Sequence, residues 1–268
     1  MAEEPLPRRV ALTVVVIAYG WTWAGVLGAQ ALGGAAGHPL HLVGLLGPAV
    51  AVAVVVSRHR AYGRALLRRT VDPRAVPWRS WLGVAAVGLL PPLVARGAAA
   101  AAGSEVAVTS APVALLGASA FALAAGLVEE PAWRGAAQDA LGDARWLRVA
   151  VVVGLAWSLW HLPLHLLPGT YQHDLGWGTA DFWLATATRV PLAVLLVALV
   201  RGARGAVVTA VVAHGLGNLA GEALPASTPV RVAELVVASA AAVVLVATWR
   251  DRSRRPAPRG HAEPRAGR

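Results

Sequence analysis

Val128-Glu129-Glu130-Pro131-Ala132-Trp133-Arg134-Gly135 follows directly on an apolar run that begins at Ala111. Two adjacent carboxylates and an arginine therefore stand at the end of a segment suited to hydrocarbon. A charge at membrane depth is costly, so an ionisable residue there is a functional candidate by default. Glu130 and Arg134 are four apart, share one helix face and can pair. Glu129 points elsewhere and is left free to act as a base. Pro131 suits the first position of a new helix, where its missing N–H costs nothing. The stretch predicts a membrane helix ending near Val128 and a short helix starting near Pro131.

The composition around this stretch agrees. Of 268 residues, 57% are hydrophobic and only 14% charged, against about 25% charged in a soluble domain. Mean hydropathy is +0.58. Apolar runs of about 20 residues, the length of a membrane helix, recur along the chain. They lie at Val10–Leu32, Leu40–Val56, Ser80–Ala101, Ala111–Val128, Trp146–Leu167, Phe182–Val200, Gly205–Ala220 and Val230–Trp249. The fold class expected is all-α: a polytopic membrane protein of about eight transmembrane helices with a buried polar site. The first run continues past Trp23, too long for a signal-peptide core, and reads as a membrane helix. Pro91-Pro92 is expected to break the third run, and Arg96 lies within it.

The 24 basic residues are all arginine and the net charge is +10. With the N-terminus inside, every arginine except Arg96, Arg189 and Arg231 falls in a segment placed on the cytoplasmic side, as the positive-inside rule requires. Residues 1–9 are then a cytoplasmic N-terminus, 10–249 a helical membrane domain, and 250–268 a basic, disordered cytoplasmic tail. Topology accounts for the positive charge, so nucleic acid is not an expected partner; anionic lipid is. The arginine-rich loop between Ser57 and Arg79 holds an amphipathic segment around Tyr62–Arg69 at the membrane surface. The chain has no cysteine, which excludes disulfides and thiol catalysis.

Two further clusters carry polar chemistry. Trp157 to His165 places His161 and His165 four apart, on one helix face, with Pro163 bending the helix between them. His214-Gly215-Leu216-Gly217-Asn218 places a histidine and an amide four apart, with glycines that permit close helix approach. The candidate site is Glu129, Glu130, Arg134, His161, His214 and Asn218, with His165 lining a pocket. A carboxylate beside a histidine can activate water, and a second histidine with an amide can donate to a developing oxyanion. Glu129, His161 and His214 could instead hold zinc, although no His-Glu-x-x-His sequence is present. Taken singly, each residue has a plainer role: acids at a helix start, a core histidine, a polar bridge between helices. Arg96, Arg189, Glu222 and Glu234 read as snorkelling or paired residues.

Glu129-Glu130-x-x-x-Arg134, then Trp157-x-x-x-His161, then His214-x-x-x-Asn218, resemble in order the three motifs of the CPBP family. This is the family of type II CAAX prenyl proteases and bacterial Abi or bacteriocin-processing proteins. The resemblance covers roughly Ala111–Ala220 and departs at Trp157, where phenylalanine is commoner. It implies an eight-helix intramembrane protease in a bacterial cell membrane. By that resemblance Glu129 and His161 activate water, Glu130 and Arg134 support the site, and His214 and Asn218 stabilise the oxyanion. The family is often labelled metalloprotease, whereas the prenyl-processing members favour a glutamate base without metal. The expected partner is a membrane protein or peptide substrate, with prenylation not implied. Two other functions compete: a proton-coupled transporter, and a non-catalytic scaffold of the bacteriocin-immunity kind. A transporter should show matching repeats with broken helices; here the polar motifs cluster in the second half.

Overall fold

The computed structural model describes residues 6–104, 112–142, 145–223 and 226–248. The tail, 250–268, and the start of the fourth run at Ala111 lie outside the described residues. The elements are α1 (Arg9–Ala31), α2 (Pro39–Gly44), α3 (Gly47–Arg58), α4 (Arg60–Val71), α5 (Trp78–Ala101), α6 (Pro112–Glu130), α7 (Gln138–Leu141), α8 (Trp146–Trp160), α9 (Tyr171–Asp174), α10 (Ala180–Gly202), α11 (Val208–Ala223) and α12 (Thr228–Thr248). The protein is an all-α polytopic membrane protein. Among the described residues α1, α5, α8 with its extension to Leu166, α10 and α12 are long and apolar enough to cross a bilayer, while α3 and α11 are shorter.

The second apolar run is two helices, not one span. Pro48 starts α3, and the carbonyls freed at the break are taken up by α1. Thr22 Oγ1 donates to Gly44 O at 2.7 Å and Trp21 Nε1 to Val43 O at 2.9 Å. Irregular backbone within a membrane protein persists where protein donors satisfy it in this way. The third run behaves oppositely. Pro91 and Pro92 sit inside a continuous α5, so the expected break is absent. Arg96 on this helix donates to Pro92 O at 2.9 Å and reaches Glu234 of α12 at 2.7 Å, which makes those two residues partners across helices.

The arginine-rich loop contains the amphipathic helix expected, α4. Its Tyr62, Gly63, Leu66 and Thr70 are buried, while Arg60, Arg64 and Arg68 face outward. Asp139 of α7 accepts from Arg69 and, at 2.8 Å, from the Tyr62 hydroxyl. Burial, with the Asp139 charge beside it, pushes the Tyr62 phenol well above its ordinary range, so it remains a donor.

Small residues set the closest helix approaches. A Cβ on Gly126 of α6 would lie 2.6 Å from Val211 O of α11, whereas one on Gly215 would sit 3.5 Å from Ala122 O. The tight contact between α6 and α11 is thus made by Gly126, and the 215 position has ordinary room. Gly126→Ala is expected to cost about 1–3 kcal/mol, because a backbone oxygen cannot yield as a side chain can. Gly215→Ala should cost much less. Thermal unfolding of the two variants in detergent checks the contrast.

Candidate active site

The acidic stretch does not end one helix and begin another. α6 runs to Glu130 and continues through a π-helical stretch, Pro131–Ala137, into α7. Pro131 has no N–H to give the carbonyl four residues back and its ring crowds that carbonyl. Widening the turn relieves both, and such π stretches inside helices are frequent at functional sites. All seven residues of the stretch are buried. Trp133 and Arg134 have no exposure, and Leu66 of α4 covers Gly135, where a Cβ would meet it at 2.6 Å.

The adjacent carboxylates have different surroundings. Glu130 is 0% exposed and Glu129 7%. Glu130 Oε1 accepts from Arg134 Nη1 at 3.0 Å, the pair its spacing predicts, and lies 2.8 Å from His214 Nδ1 of α11. A carboxylate only accepts, so this histidine nitrogen donates. Glu129 Oε2 accepts from the indole N–H of Trp157 on α8 at 2.6 Å. The other Glu129 oxygen has no hydrogen bond among the described residues.

Trp157 also touches Arg134, His161 and His214. The Arg134 guanidinium lies 4.3 Å above its ring, and the His161 and His214 rings meet it edge-on at 5.7 and 5.4 Å. His161 Nδ1 lies 2.8 Å from Trp157 O, so that nitrogen donates and Nε2 is left as the ring's acceptor. Sequence reasoning gave Trp157 only an aromatic-wall role. Its N–H was the available signal, because a buried indole finds a partner.

His161 and His165 do not share a helix face. α8 ends at Trp160, and Leu162–Leu166 is a 3-10 turn. Pro163 lacks the N–H that would continue the α-helix. His161 therefore stays with Trp157 and Trp160, while His165 turns to Phe182, ring centroids 4.6 Å apart. Asn218 lies one turn beyond His214 on α11, half-buried, and no hydrogen bond among the described residues ties it to the cluster. Arg189 is not a snorkelling residue: it is 9% exposed and donates to Ala185 O of its own helix at 3.1 Å.

Among the described residues no three His, Asp or Glu side chains are arranged to hold a metal ion. Glu129, His161 and His214 each have a polar atom already engaged, by Trp157 N–H, Trp157 O and Glu130 respectively. Each keeps a second donor atom free, as metal ligands also do, so it is the absence of a convergent set among the described residues that does not fit zinc.

The three motifs expected to form one site are thus together in one buried cluster, with Asn218 at its edge. The model of the family described as type II CAAX prenyl endopeptidase Rce1-like matches residues 111–220, the segment that carries all three. Over that segment the chain is similar to the CPBP/CAAX protease family. CAAX prenyl protease 2 of Methanococcus maripaludis is 29% identical over 130 residues, 46% of this chain and 47% of that protein. The chain spans about half the length of the curated relative it matches.

Arg134→Met is expected to destabilise the protein by about 3–5 kcal/mol, because it leaves the Glu130 charge buried without its cation. Combining it with Glu130→Gln should recover much of the loss. Unfolding of the single and double variants in detergent measures both; equal losses would show that the pair is not energetically linked.

Proposed function

We propose that the protein is an intramembrane endopeptidase that hydrolyses a peptide bond in a membrane-associated protein or peptide. The observation that carries this reading is the division of labour between the two carboxylates. Glu130 is sealed and bound to Arg134 and His214. Glu129 keeps a trace of exposure and one oxygen without a hydrogen bond, its other oxygen being held by Trp157.

In the proposed reaction the free Glu129 oxygen removes a proton from water as the water attacks the scissile carbonyl. Trp157 holds the carboxylate in orientation throughout. His161, donating through Nδ1 to Trp157 O, presents Nε2 to help position the same water. His214 donates its Nδ1–H in a hydrogen bond to Glu130, so its Nε2 can donate to the oxyanion only when the ring carries both protons; Glu130 is the carboxylate facing that charge. Asn218 supplies a neutral donor one turn away. Glu129 then passes its proton to the departing amine.

An apolar groove of about 630 Å3 between α3 and α4 reaches Leu127 of α6 and Pro131 of the π-helical stretch. In this reading it accommodates the hydrocarbon part of a membrane-associated substrate. In this reading the outward arginines of α4 meet anionic lipid headgroups and both termini are cytoplasmic, a topology supported by the positive-inside rule.

Glu129→Ala and His161→Ala are expected to abolish cleavage of a reconstituted test peptide, by at least about 100-fold, while the protein still accumulates. Wild-type cleavage should persist with chelator present. Full activity in both variants would remove Glu129 and His161 from the mechanism, and no cleavage by wild type would sink the protease assignment and favour the scaffold. Loss of activity with chelator and recovery with zinc would overturn the glutamate-base mechanism alone.

A further inference from the structure

The described residues include four buried arginines: Arg96, Arg134, Arg189 and Arg231. Three have a carboxylate partner: Glu234 at 2.7 Å, Glu130 at 3.0 Å and Asp181 at 3.4 Å. Arg189 has none. Its one hydrogen bond among the described residues is to Ala185 O, a neutral acceptor on its own helix. A buried cation without an ion-pair partner is destabilising by several kcal/mol in general, so a residue of this kind in a membrane helix calls for a function.

The place of Arg189 in the packing indicates which function. On one side of it along α10, Thr186 O accepts from Ser158 Oγ of α8 at 2.6 Å. On the other, a Cβ on Gly154 of α8 would touch Ala193 at 2.8 Å. Arg189 therefore sits on the packed face of α10, level with the turn of α8 that carries Trp157. His161, His165, Glu129 and Tyr171 are close enough for their charges to interact with that of Arg189. Tyr171 is 51% exposed and its hydroxyl accepts from Arg231. The hydroxyl of Thr186 is also buried without a partner.

We propose that Arg189 is a subsite for a carboxylate of the substrate, held beside the Glu129–His161 cluster. This deepens the protease reading and rests on it for the identity of the ligand as a peptide. A planar carboxylate matches the guanidinium fork and would supply the missing charge through paired hydrogen bonds. The carboxylate could come from the peptide's C-terminus or from an acidic side chain. The two sources differ in consequence: a C-terminal anchor would fix the distance from the chain end to the scissile bond.

The test uses the full chain purified in neutral detergent and three acetylated tetrapeptides. They are identical except that one ends in a free acid, one in an amide, and one in an amide preceded by aspartate. Binding is read by calorimetry. The free acid should bind wild type about 10-fold or more tightly than the amide, the range of a hydrogen bond to a charged group. Arg189→Met should erase that difference and Arg189→Lys should keep part of it. An advantage confined to the free acid identifies the C-terminus; one shared by the aspartyl peptide identifies a side chain. Equal binding of all three by wild type, or discrimination that survives in Arg189→Met, overturns the proposal. A structural counter-charge would weaken acid and amide alike. If Arg189→Met does not fold, competition by acetate against equal chloride for the free-acid peptide decides on wild type: relief by acetate supports the subsite, and no effect overturns it. Binding needs no turnover. A protein that discriminates but cleaves nothing therefore sinks the protease reading only, and one that cleaves without discriminating sinks only the subsite.

Discussion

Glu130 Oε1 takes hydrogen bonds from Arg134 at 3.0 Å and His214 at 2.8 Å, with no solvent contact. The first bond is within one helical segment and the second joins it to α11. An unpaired carboxylate at this position would be too costly to keep. The acidic segment and α11 must therefore meet at one register, since sliding either helix by a turn would separate the partners. Gly126 permits the approach by removing the side chain that would strike Val211 O at 2.6 Å. Electrostatics fixes the register, and the absence of a Cβ allows the distance.

Trp157 extends this constraint to α8. One indole gives its N–H to Glu129, its face to Arg134, and its edges to two histidines. α8 is in turn held to α1, where the Tyr19 hydroxyl donates to Ala156 O at 2.5 Å and Trp160 Nε1 to Ala18 O at 3.3 Å. Long-range order thus passes from α1 through α8 to the acidic stretch by donors on large aromatic rings. In a bilayer, where lipid competes equally for apolar surface, such directional bonds and close packing carry the helix association.

Helix class, the acidic pair, its arginine and the two later motifs were legible because each obeys a local rule: hydropathy over one span, or spacing of four on one face. The Glu130–Arg134 contact followed directly from that spacing. What the sequence did not disclose depends on neighbours remote in the chain. Leu40–Val56 has the hydropathy of a span, yet donors on Thr22 and Trp21 let it break. Pro91-Pro92 has the look of a break, yet α5 passes through it. Pro131 and Pro163 show how one residue type gives different outcomes: the first widens a helix that packing on both sides compels to continue, the second ends one. Arg189, within the sixth run, read as a snorkelling or paired residue, because its burial arises from the face of α10 that meets α8.

The two adjacent glutamates show why the π-helical stretch matters. On a regular helix neighbouring side chains diverge by about 100°, so one of a Glu-Glu pair can be sealed while the other faces a different wall. Here the sealed one meets α11 and the other meets α8. The turn beyond them must then return Arg134 to Glu130 while Pro131 forbids the ordinary hydrogen bond, and the widened turn satisfies both demands. The guanidinium arrives between Glu130 and the Trp157 face, so the cation that holds one carboxylate also braces the ring that holds the other. Two acids of identical chemistry acquire separate roles because one arginine and one tryptophan divide them.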